Sequence, residues 1–291
     1  MKTVVFGGSG FLGSHIADAL SECGHEVTIY DLKSSPYLKK NQRMVVGDVL
    51  EEKKVEKIVK NNDIVYNFSG IADIGEACKK PLQGIKSNIL GNTIILEACR
   101  KAKIKRFIYA SSLYVYSKVG SFYRSSKQAC ELIIENYNEV FGLRYTILRF
   151  GSLYGPRADG KNFIHRTLKQ ALHKGMIIRE GDGEEIRDYI HVLDAARGSV
   201  EILSNEYVNQ YVIITGNQQI KVKDLMLMIR EMLNNKVIIK YKKAKNNSHY
   251  EITPYNFAPK LAKRLVNKTY LDLGQGLLDY LYKLHKEGNT I

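Results

Sequence analysis

Short apolar segments alternate with amphipathic segments along the first half of the chain. Runs rich in β-branched and aromatic residues predict strands, and segments with apolar residues every three or four positions predict helices. The predicted strands are residues 3–6, 26–30, 44–46, 64–68, 106–110 and 144–150, and the predicted helices are one from about Leu12, residues 51–60, residues 83–100 and one after Tyr123. Strands and helices that alternate at this spacing form right-handed crossovers, so we predict an α/β fold with a doubly wound parallel sheet.

The pattern beyond about Gly151 is less regular and more helical. Its clearest predicted helices are residues 225–233 and 275–286, and the chain contains no repeat, low-complexity segment or obvious linker. We therefore predict a first domain over residues 1–151 and a smaller, mainly C-terminal α/β domain over residues 152–291, with an interleaved boundary.

The composition is that of a globular protein, with 44% hydrophobic and 25% charged residues over 291 positions. The formal net charge is +14, and the densest basic run is residues 100–106. That run joins a predicted helix end to a strand, where cations stabilise the helix dipole, and no aromatic residues alternate with it to stack on bases. We therefore expect no nucleic-acid partner, although a basic chain suits an anionic small substrate.

The cysteines and the hydropathy pattern exclude further classes of protein. Cys23, Cys78, Cys99 and Cys130 form no Cys-x-x-Cys pair, which favours buried free thiols over a metal site or disulfides. No stretch approaches about 18 apolar residues, and a strand-like run begins where a signal peptide would carry its charged and apolar regions. We therefore expect a cytoplasmic protein with no membrane partner and no metal.

A glycine pattern follows the first predicted strand and opens the first predicted helix. Gly7, Gly10 and Gly13 stand three residues apart. Glycine lets the backbone turn tightly and approach a pyrophosphate, and a helix N-terminus supplies unpaired amides and positive potential. Asp31, at the end of the second strand, is placed to bind ribose hydroxyls and to repel a 2′-phosphate. Together these features predict a Rossmann-type site for NAD rather than NADP.

The pattern Tyr-x-x-x-Lys occurs twice, once with Tyr114 and Lys118 and again with Tyr123 and Lys127. The two side chains of such a pair share a face only in a helix. The first pair leaves a strand and runs into Gly120, so we expect an irregular conformation in which its side chains diverge. Tyr123 begins an apolar pattern with helical period, so Tyr123 and Lys127 are the pair that we expect to act together.

The glycine spacing, G-x-x-G-x-x-G, and several later motifs resemble the extended short-chain dehydrogenase/reductase family. The chain is most similar to the family's NAD-dependent sugar-nucleotide epimerases and dehydratases, of the UDP-glucose 4-epimerase kind. The motifs are Asp31, Gly47-Asp48-Val49, Asn67-Phe68-Ser69-Gly70, Asn88-Ile89-Leu90-Gly91, the Tyr-x-x-x-Lys helix and residues 181–194. The resemblance implies NAD binding by residues 1–151 and sugar-nucleotide binding mainly by residues 152–291. The cofactor-binding residues that it implies are Gly7, Gly10, Phe11, Leu12, Gly13, Asp31, Asp48, Val49, Ser69, Gly70, Tyr123 and Lys127.

The resemblance also implies catalytic and substrate-binding residues. Ser112 matches the family's catalytic serine, which acts with Tyr123 and Lys127 and contacts the substrate. Arg187 matches the arginine that contacts the substrate diphosphate, a role that suits a planar, bidentate side chain. The remaining substrate-binding residues that we expect are Ser152, which stands where the family has asparagine, Arg157 and Asn162. Surface-loop roles fit Arg157 and Asn162 as well.

The three catalytic residues predict a mechanism. A phenol has a pKa of about 10, and lowering it to about 7 needs roughly 4 kcal/mol, which an adjacent ammonium and the positive nicotinamide could supply. Tyr123 would then remove a proton from a sugar hydroxyl as hydride leaves the same carbon for NAD. Ser112 would hold the oxygen and Lys127 the ribose.

Two departures from the family pattern narrow the activity. Leu113 and Tyr114 stand where family dehydratases carry an Asp-Glu pair, so a 4,6-dehydratase is disfavoured. Only six residues separate Tyr116 from Tyr123, where relatives often insert a loop, so we expect a more open pocket.

The sequence is compatible with two net reactions. If the C4 ketone takes the hydride back on its other face, the enzyme is a 4-epimerase, and if the ketone leaves, it is a net dehydrogenase. We favour the epimerase by analogy with the family. A non-catalytic NAD-binding protein is the alternative from another class, and the intact catalytic residues argue against it. The resemblance further implies a homodimer built from the helices near residues 83–100 and 123–141, and a role in surface polysaccharide synthesis. The sequence does not specify the nucleobase or the sugar.

Overall fold

A computed structural model describes residues 1–243 and 249–257 of the chain. The strands are Lys2–Phe6 (β1), Glu26–Asp31 (β2), Gln42–Val46 (β3), Ile64–Asn67 (β4), Arg106–Ser112 (β5), Tyr145–Phe150 (β6), Ser152–Tyr154 (β7), Met176–Glu180 (β8), Ile186–His191 (β9), Gln210–Ile214 (β10), Gln219–Lys221 (β11) and Ile238–Lys242 (β12). The α-helices are Phe11–Glu22 (α1), Glu52–Val59 (α2), Ile74–Lys79 (α3), Pro81–Ile85 (α4), Gly91–Ala102 (α5), Ser121–Phe141 (α6), Phe163–Lys174 (α7), Val192–Glu201 (α8) and Val222–Met232 (α9).

Seven of the strands form one parallel sheet in the order β10-β6-β5-β4-β1-β2-β3. One apolar core, with Val4, Val65 and Phe107, covers one face of the sheet, and a second core, with Val5 and Ile108, covers the other face. Strands buried on both faces read as continuous apolar runs, which is why the sequence predicted them. The predicted α/β fold with a doubly wound parallel sheet is confirmed.

The chain leaves β1 toward β2 on one side of the sheet and later returns to β4 on the other side. The carboxyl ends of β1 and β4 therefore flank a crevice, which is where open parallel sheets bind ligands. Gly7 follows β1, and Phe68 follows β4. The predicted nucleotide-binding residues thus lie at the position in the sheet that topology favours for a ligand.

The described residues beyond 151 contain more strands than the sequence predicted. Beyond residue 151 it contributes six short strands and three α-helices among the described residues. Strand β9 pairs with β7 and β11, β8 pairs with β12, and β10 joins the main sheet beside β6. Strands of three to six residues are too short for a periodic pattern of apolar positions to be recognised in the sequence. The predicted helix at 275–286 lies outside the described residues.

Three segments near the site differ locally from the elements that the sequence predicted. The predicted helix at 83–100 runs from α4 to α5 through a π-helical turn, Lys86–Leu90, and the helix expected after Tyr123 begins at Ser121. Residues Leu113–Tyr116, expected to be irregular, form a 3₁₀ turn. No helix in residues 1–243 or 249–257 is long and apolar enough to cross a membrane.

The cysteine prediction is half wrong. All four thiols are free, but only Cys99 and Cys130 are buried, and Cys23 and Cys78 are exposed. Cys23 is the C-cap of α1, and Cys78 lies on the outer side of the short helix α3, so neither points into a core.

Candidate active site

The glycine loop makes a turn that only glycine permits. Gly7 has φ of +74°, and a Cβ there would lie 2.5 Å from the carbonyl oxygen of Phe68. A Cβ on Gly13 would lie 2.2 Å from the carbonyl oxygen of Gly7. Helix α1 therefore starts directly against the end of β1, and its N-cap, Gly10, has no side chain to occupy the first amides. This cradle leaves amides and positive potential available for a pyrophosphate.

Asp31 ends β2 beside this loop. Its Oδ2 accepts a hydrogen bond from the Ser9 amide at 3.0 Å, which fixes the carboxylate against the glycine loop. Among the described residues no donor reaches its second oxygen, so that oxygen can accept from ribose hydroxyls. The same negative charge would repel a 2′-phosphate.

A cavity of about 790 Å³ opens at the crevice between β1 and β4. Seven of the predicted cofactor-binding residues line it: Gly7, Gly10, Asp31, Asp48, Val49, Ser69 and Gly70. The other three glycine-loop residues, Phe11, Leu12 and Gly13, form the first turn of α1 beside it. The structure therefore brings together residues that lie far apart in the sequence into one cleft of a size typical of ligand sites.

Asn88 holds the far wall of this cleft. Its Oδ1 accepts from the Ile71 amide at 2.7 Å, and its Nδ2 donates to the Ile71 carbonyl at 3.1 Å and to the Ser126 hydroxyl at 3.0 Å. Gly70, with φ of +117°, passes so close that a Cβ would lie 2.4 Å from Asn88 Oδ1. The π-helical turn aims Asn88 at the loop, as such turns often do at functional sites. Asn88 belongs to one of the motifs that resemble the family, and its role becomes visible only in the structure.

Ser112, Tyr123 and Lys127 converge at the carboxyl end of β5. Ser112 is the last residue of that strand, and Tyr123 and Lys127 lie on one face of the first two turns of α6. Lys127 is buried, its Nζ donates to the Ala110 carbonyl at 2.6 Å, and it lies 5.8 Å from the ring centroid of Tyr123. The helix expected from the sequence therefore places the second Tyr-x-x-x-Lys pair together.

Burial controls the pKa values of both groups. It raises the pKa of Tyr123, and interaction with the Ser112 hydroxyl lowers that pKa by less. Burial also lowers the pKa of Lys127 to about 8, against smaller opposing effects of Cys130 and Glu131. The protein environment by itself thus favours a neutral phenol, so the predicted phenolate depends on further positive charge beside Tyr123.

A buried ion pair connects the helix that carries Tyr123 and Lys127 to the main sheet. Arg149 donates to both carboxylate oxygens of Glu131, from Nε at 3.0 Å and from Nη2 at 2.7 Å. The Ser111 hydroxyl donates to the same carboxylate at 2.5 Å. Glu131 lies one turn after Lys127 on α6, so the network ties α6 to β5 and β6 at the level of the predicted catalytic residues.

Two of the predicted substrate-binding residues are engaged by the protein. Arg157 Nη2 donates to Asp18 at 2.7 Å. Asn162 caps α7 by accepting from the His165 amide at 3.1 Å, and its Nδ2 donates to the Leu153 carbonyl. These contacts give both side chains structural roles, and their contact with substrate stays a prediction.

The other two predicted substrate-binding residues lie on the paired strands β7 and β9. Ser152 begins β7 and is half-buried, in register with Tyr189 of β9. Arg187 is buried on β9, its Nη1 donates to the Ile186 carbonyl at 2.9 Å, and its guanidinium lies 4.4 Å from the ring centroid of Tyr250.

Tyr114, which the sequence did not place at the site, packs against Tyr123. The 3₁₀ turn puts its ring centroid 6.0 Å from that of Tyr123 and 4.6 Å from that of Tyr250. Lys118 does diverge from it, as expected, and is exposed. The spacing of the first Tyr-x-x-x-Lys pattern gave no signal for Tyr114, because its neighbours are tertiary and one comes from the far end of the described chain.

Comparison with known proteins agrees with this geometry. The profile of the NAD dependent epimerase/dehydratase family matches residues 3–214, so the chain belongs to this family. It is 30% identical over 246 residues to the UDP-N-acetyl-alpha-D-glucosaminuronate decarboxylase of Bacillus cytotoxicus, with 76% of each protein covered. It is 28% identical over 315 residues to the UDP-glucose 4-epimerase of Haemophilus influenzae, with 91% of this chain and 92% of the relative covered.

Solved structures show the same likeness. The UDP-glucose 4-epimerase of Thermotoga maritima, crystallised with UDP-glucose, superposes with a TM-score of 0.81 at 25% identity, covering 88% of this chain and 90% of that one. The UDP-N-acetylglucosamine 4-epimerase of Methanobrevibacter ruminantium superposes with a TM-score of 0.80 at 26% identity, covering 88% and 89%. The protein is therefore an enzyme of a sugar-nucleotide epimerase family that uses NAD, and the cradle at Gly7 and Gly13 with the carboxylate of Asp31 fits that cofactor.

Proposed function

We propose that the protein is a UDP-sugar 4-epimerase, which oxidises C4 of the sugar and then reduces it from the other face. The observation that carries the proposal is the convergence of Ser112, Tyr123 and Lys127 on the same edge of the sheet as the glycine-loop cleft. The names of the relatives and of the neighbouring structures support a UDP-linked substrate and position C4.

Each side chain of the site has a separate role in the oxidation. Tyr123 takes the proton of the C4 hydroxyl, and Ser112 hydrogen-bonds the oxygen while charge develops on it. Bound NAD would supply the acceptor, and then the donor, of the hydride at C4. The buried ammonium of Lys127 adds positive potential beside the phenol and can donate to the cofactor ribose. Arg187 suits the diphosphate, which tethers the ketone while the sugar turns its other face.

Turnover of candidate substrates tests the proposal. UDP-glucose, UDP-galactose, UDP-N-acetylglucosamine and UDP-glucuronate would each be incubated with NAD-loaded enzyme, with absorbance read at 340 nm and products identified by NMR. A C4 epimer without net NADH is expected for at least one of them. Tyr123→Phe should lower kcat by about 10²–10⁴-fold while NAD binding is kept, and Tyr207→Phe, on the far side of the sheet, serves as the control.

Two other products would contradict epimerisation. Net NADH with a released ketone would identify a dehydrogenase. A 4-keto uronic acid is a β-keto acid, so loss of CO₂ from UDP-glucuronate would identify a decarboxylase, the activity named for one relative. Bound NAD with no turnover of any candidate would leave only the NAD-binding fold.

The same proposal includes a homodimer built on α5 and α6. Exposed apolar side chains on α6 and directly before α5 support it: Leu132 is 61% exposed, Val140 67%, and Leu90, the last residue of the π-helical turn, 49%. Such residues at helical spacing form a face that a second copy would cover. Analytical ultracentrifugation should show a dimer, and Leu132→Glu should shift it to monomer. A wild-type monomer at micromolar concentration would contradict this part of the proposal.

A further inference from the structure

Tyr114 has a fixed place beside the catalytic tyrosine. Its ring packs edge-on against Tyr123 and lies against Tyr250. Gly120 makes room for it, because a Cβ at this position would lie 2.8 Å from Tyr114 Cδ1. Gly120 also has φ of +104°, which other residues rarely adopt. The backbone at the start of α6 is thus shaped to seat this ring.

The hydroxyl of Tyr114 is paired with a histidine from the later part of the chain. Its oxygen lies 2.5 Å from Nδ1 of His249. Burial raises the pKa of Tyr114, and burial followed by the charges of Arg187 and Arg179 lowers the pKa of His249. Both groups are therefore neutral at pH 7, so the phenol donates to Nδ1 and the imidazole proton lies on Nε2. The pair keeps one donor, Nε2–H, for which the described residues supply no acceptor.

The rings of Tyr250 and Tyr114 connect Arg187 to Tyr123. The guanidinium of Arg187 is 4.4 Å from the ring centroid of Tyr250, which contacts Tyr114, which contacts Tyr123. A sugar nucleotide with its diphosphate on Arg187 and its C4 hydroxyl at Tyr123 has its sugar ring between these two points. The sugar therefore passes along Tyr250, Tyr114 and His249.

We propose that Tyr114 and His249 form a second sugar-binding pair, an inference that rests on the proposed function. The pair hydrogen-bonds a sugar hydroxyl next to the reacting carbon and thereby retains the 4-keto sugar between the two hydride transfers. This hydrogen bond adds to those that the ketone oxygen accepts from Ser112 and from the protonated Tyr123, and it thereby slows escape of the ketone.

The test measures how often the ketone escapes. With a substrate that the enzyme turns over, the released 4-keto sugar is trapped with borodeuteride, and mass spectrometry compares its amount with that of the epimer. Absorbance at 340 nm measures the NADH that is left on the enzyme after the ketone has escaped. Tyr114→Phe and His249→Phe keep the rings and remove the hydrogen bond, and each should raise the escaped fraction about fivefold to tenfold. His249→Gln places an amide N–H donor near the position of Nε2 and should restore part of the retention.

A structural control separates this role from simple loosening of the segment. Thr253→Val removes the contacts of the Thr253 hydroxyl with the Asp188 amide and the Ile186 carbonyl, which anchor the same segment. It should leave the escaped fraction unchanged. An unchanged fraction in both ring-preserving variants, or an equal rise in Thr253→Val, would overturn the inference. If no UDP sugar is turned over by the wild type, the proposed function itself fails, and this inference fails with it.

Discussion

Lys127 is a buried cation whose charge costs folding free energy. Its side chain is 7% exposed, and burial lowers its pKa from 10.5 to about 8. At pH 7 the lysine is charged in both the folded and the unfolded chain, so this difference in pKa corresponds to a cost of about 3 kcal/mol. The hydrogen bond from Nζ to the Ala110 carbonyl is worth about 1 kcal/mol. Replacing Lys127 by methionine should therefore stabilise the protein by about 2 kcal/mol while it abolishes turnover.

The pH dependence follows from the direction of the pKa shift. Below pH 8 the cost is fully present, because both states carry the charge. As the pH rises from 8 toward 10.5, the folded lysine loses its proton before the unfolded one, so the cost falls. By pH 10 it should be below about 1 kcal/mol, and the advantage of Lys127→Met should have disappeared.

Urea unfolding at pH 7 and at pH 10 measures this difference. The wild type, Lys127→Met and the exposed control Lys53→Met are compared after removal of NAD, because a ligand that binds the folded state would add its own stabilisation. The control should behave like the wild type at both pH values. A Lys127→Met variant that is less stable than the wild type at pH 7, or one whose advantage is the same at pH 10, would refute the reasoning.

Three further substitutions test the cofactor cleft. Gly13→Ala places a Cβ 2.2 Å from the Gly7 carbonyl, so calorimetry should show NAD affinity reduced more than about tenfold, and an unchanged affinity would show that the loop can relax. Asp31→Ala should weaken NAD binding about fivefold to tenfold and strengthen NADP binding, and a fall for both cofactors would place Asp31 outside the ribose site. Asn88→Ala removes the hydrogen bonds to Ile71, so urea unfolding should show a loss of about 2–3 kcal/mol, and a loss below about 0.5 kcal/mol would contradict the role of Asn88 as a staple.

The sequence by itself determined the parallel sheet, the glycine loop and the second Tyr-x-x-x-Lys helix. These features depend on local periodicity: continuous apolar runs for buried strands, glycine where the backbone must turn, and an apolar stripe that puts Tyr123 and Lys127 on one face. The position of Asp31 followed as well, because it ends the strand next to the glycine loop.

Only the tertiary structure decided how the two parts of the chain meet at the site. The strand Gln210–Ile214 joins the main sheet, and the segment with His249 and Tyr250 lies against Tyr114. The local sequence of these two segments does not predict either contact. The pKa of Lys127 was equally beyond the sequence, because it is set by burial that no local pattern reveals. Periodicity reports which face of an element is apolar, whereas contacts between distant segments depend on packing that the whole chain determines together.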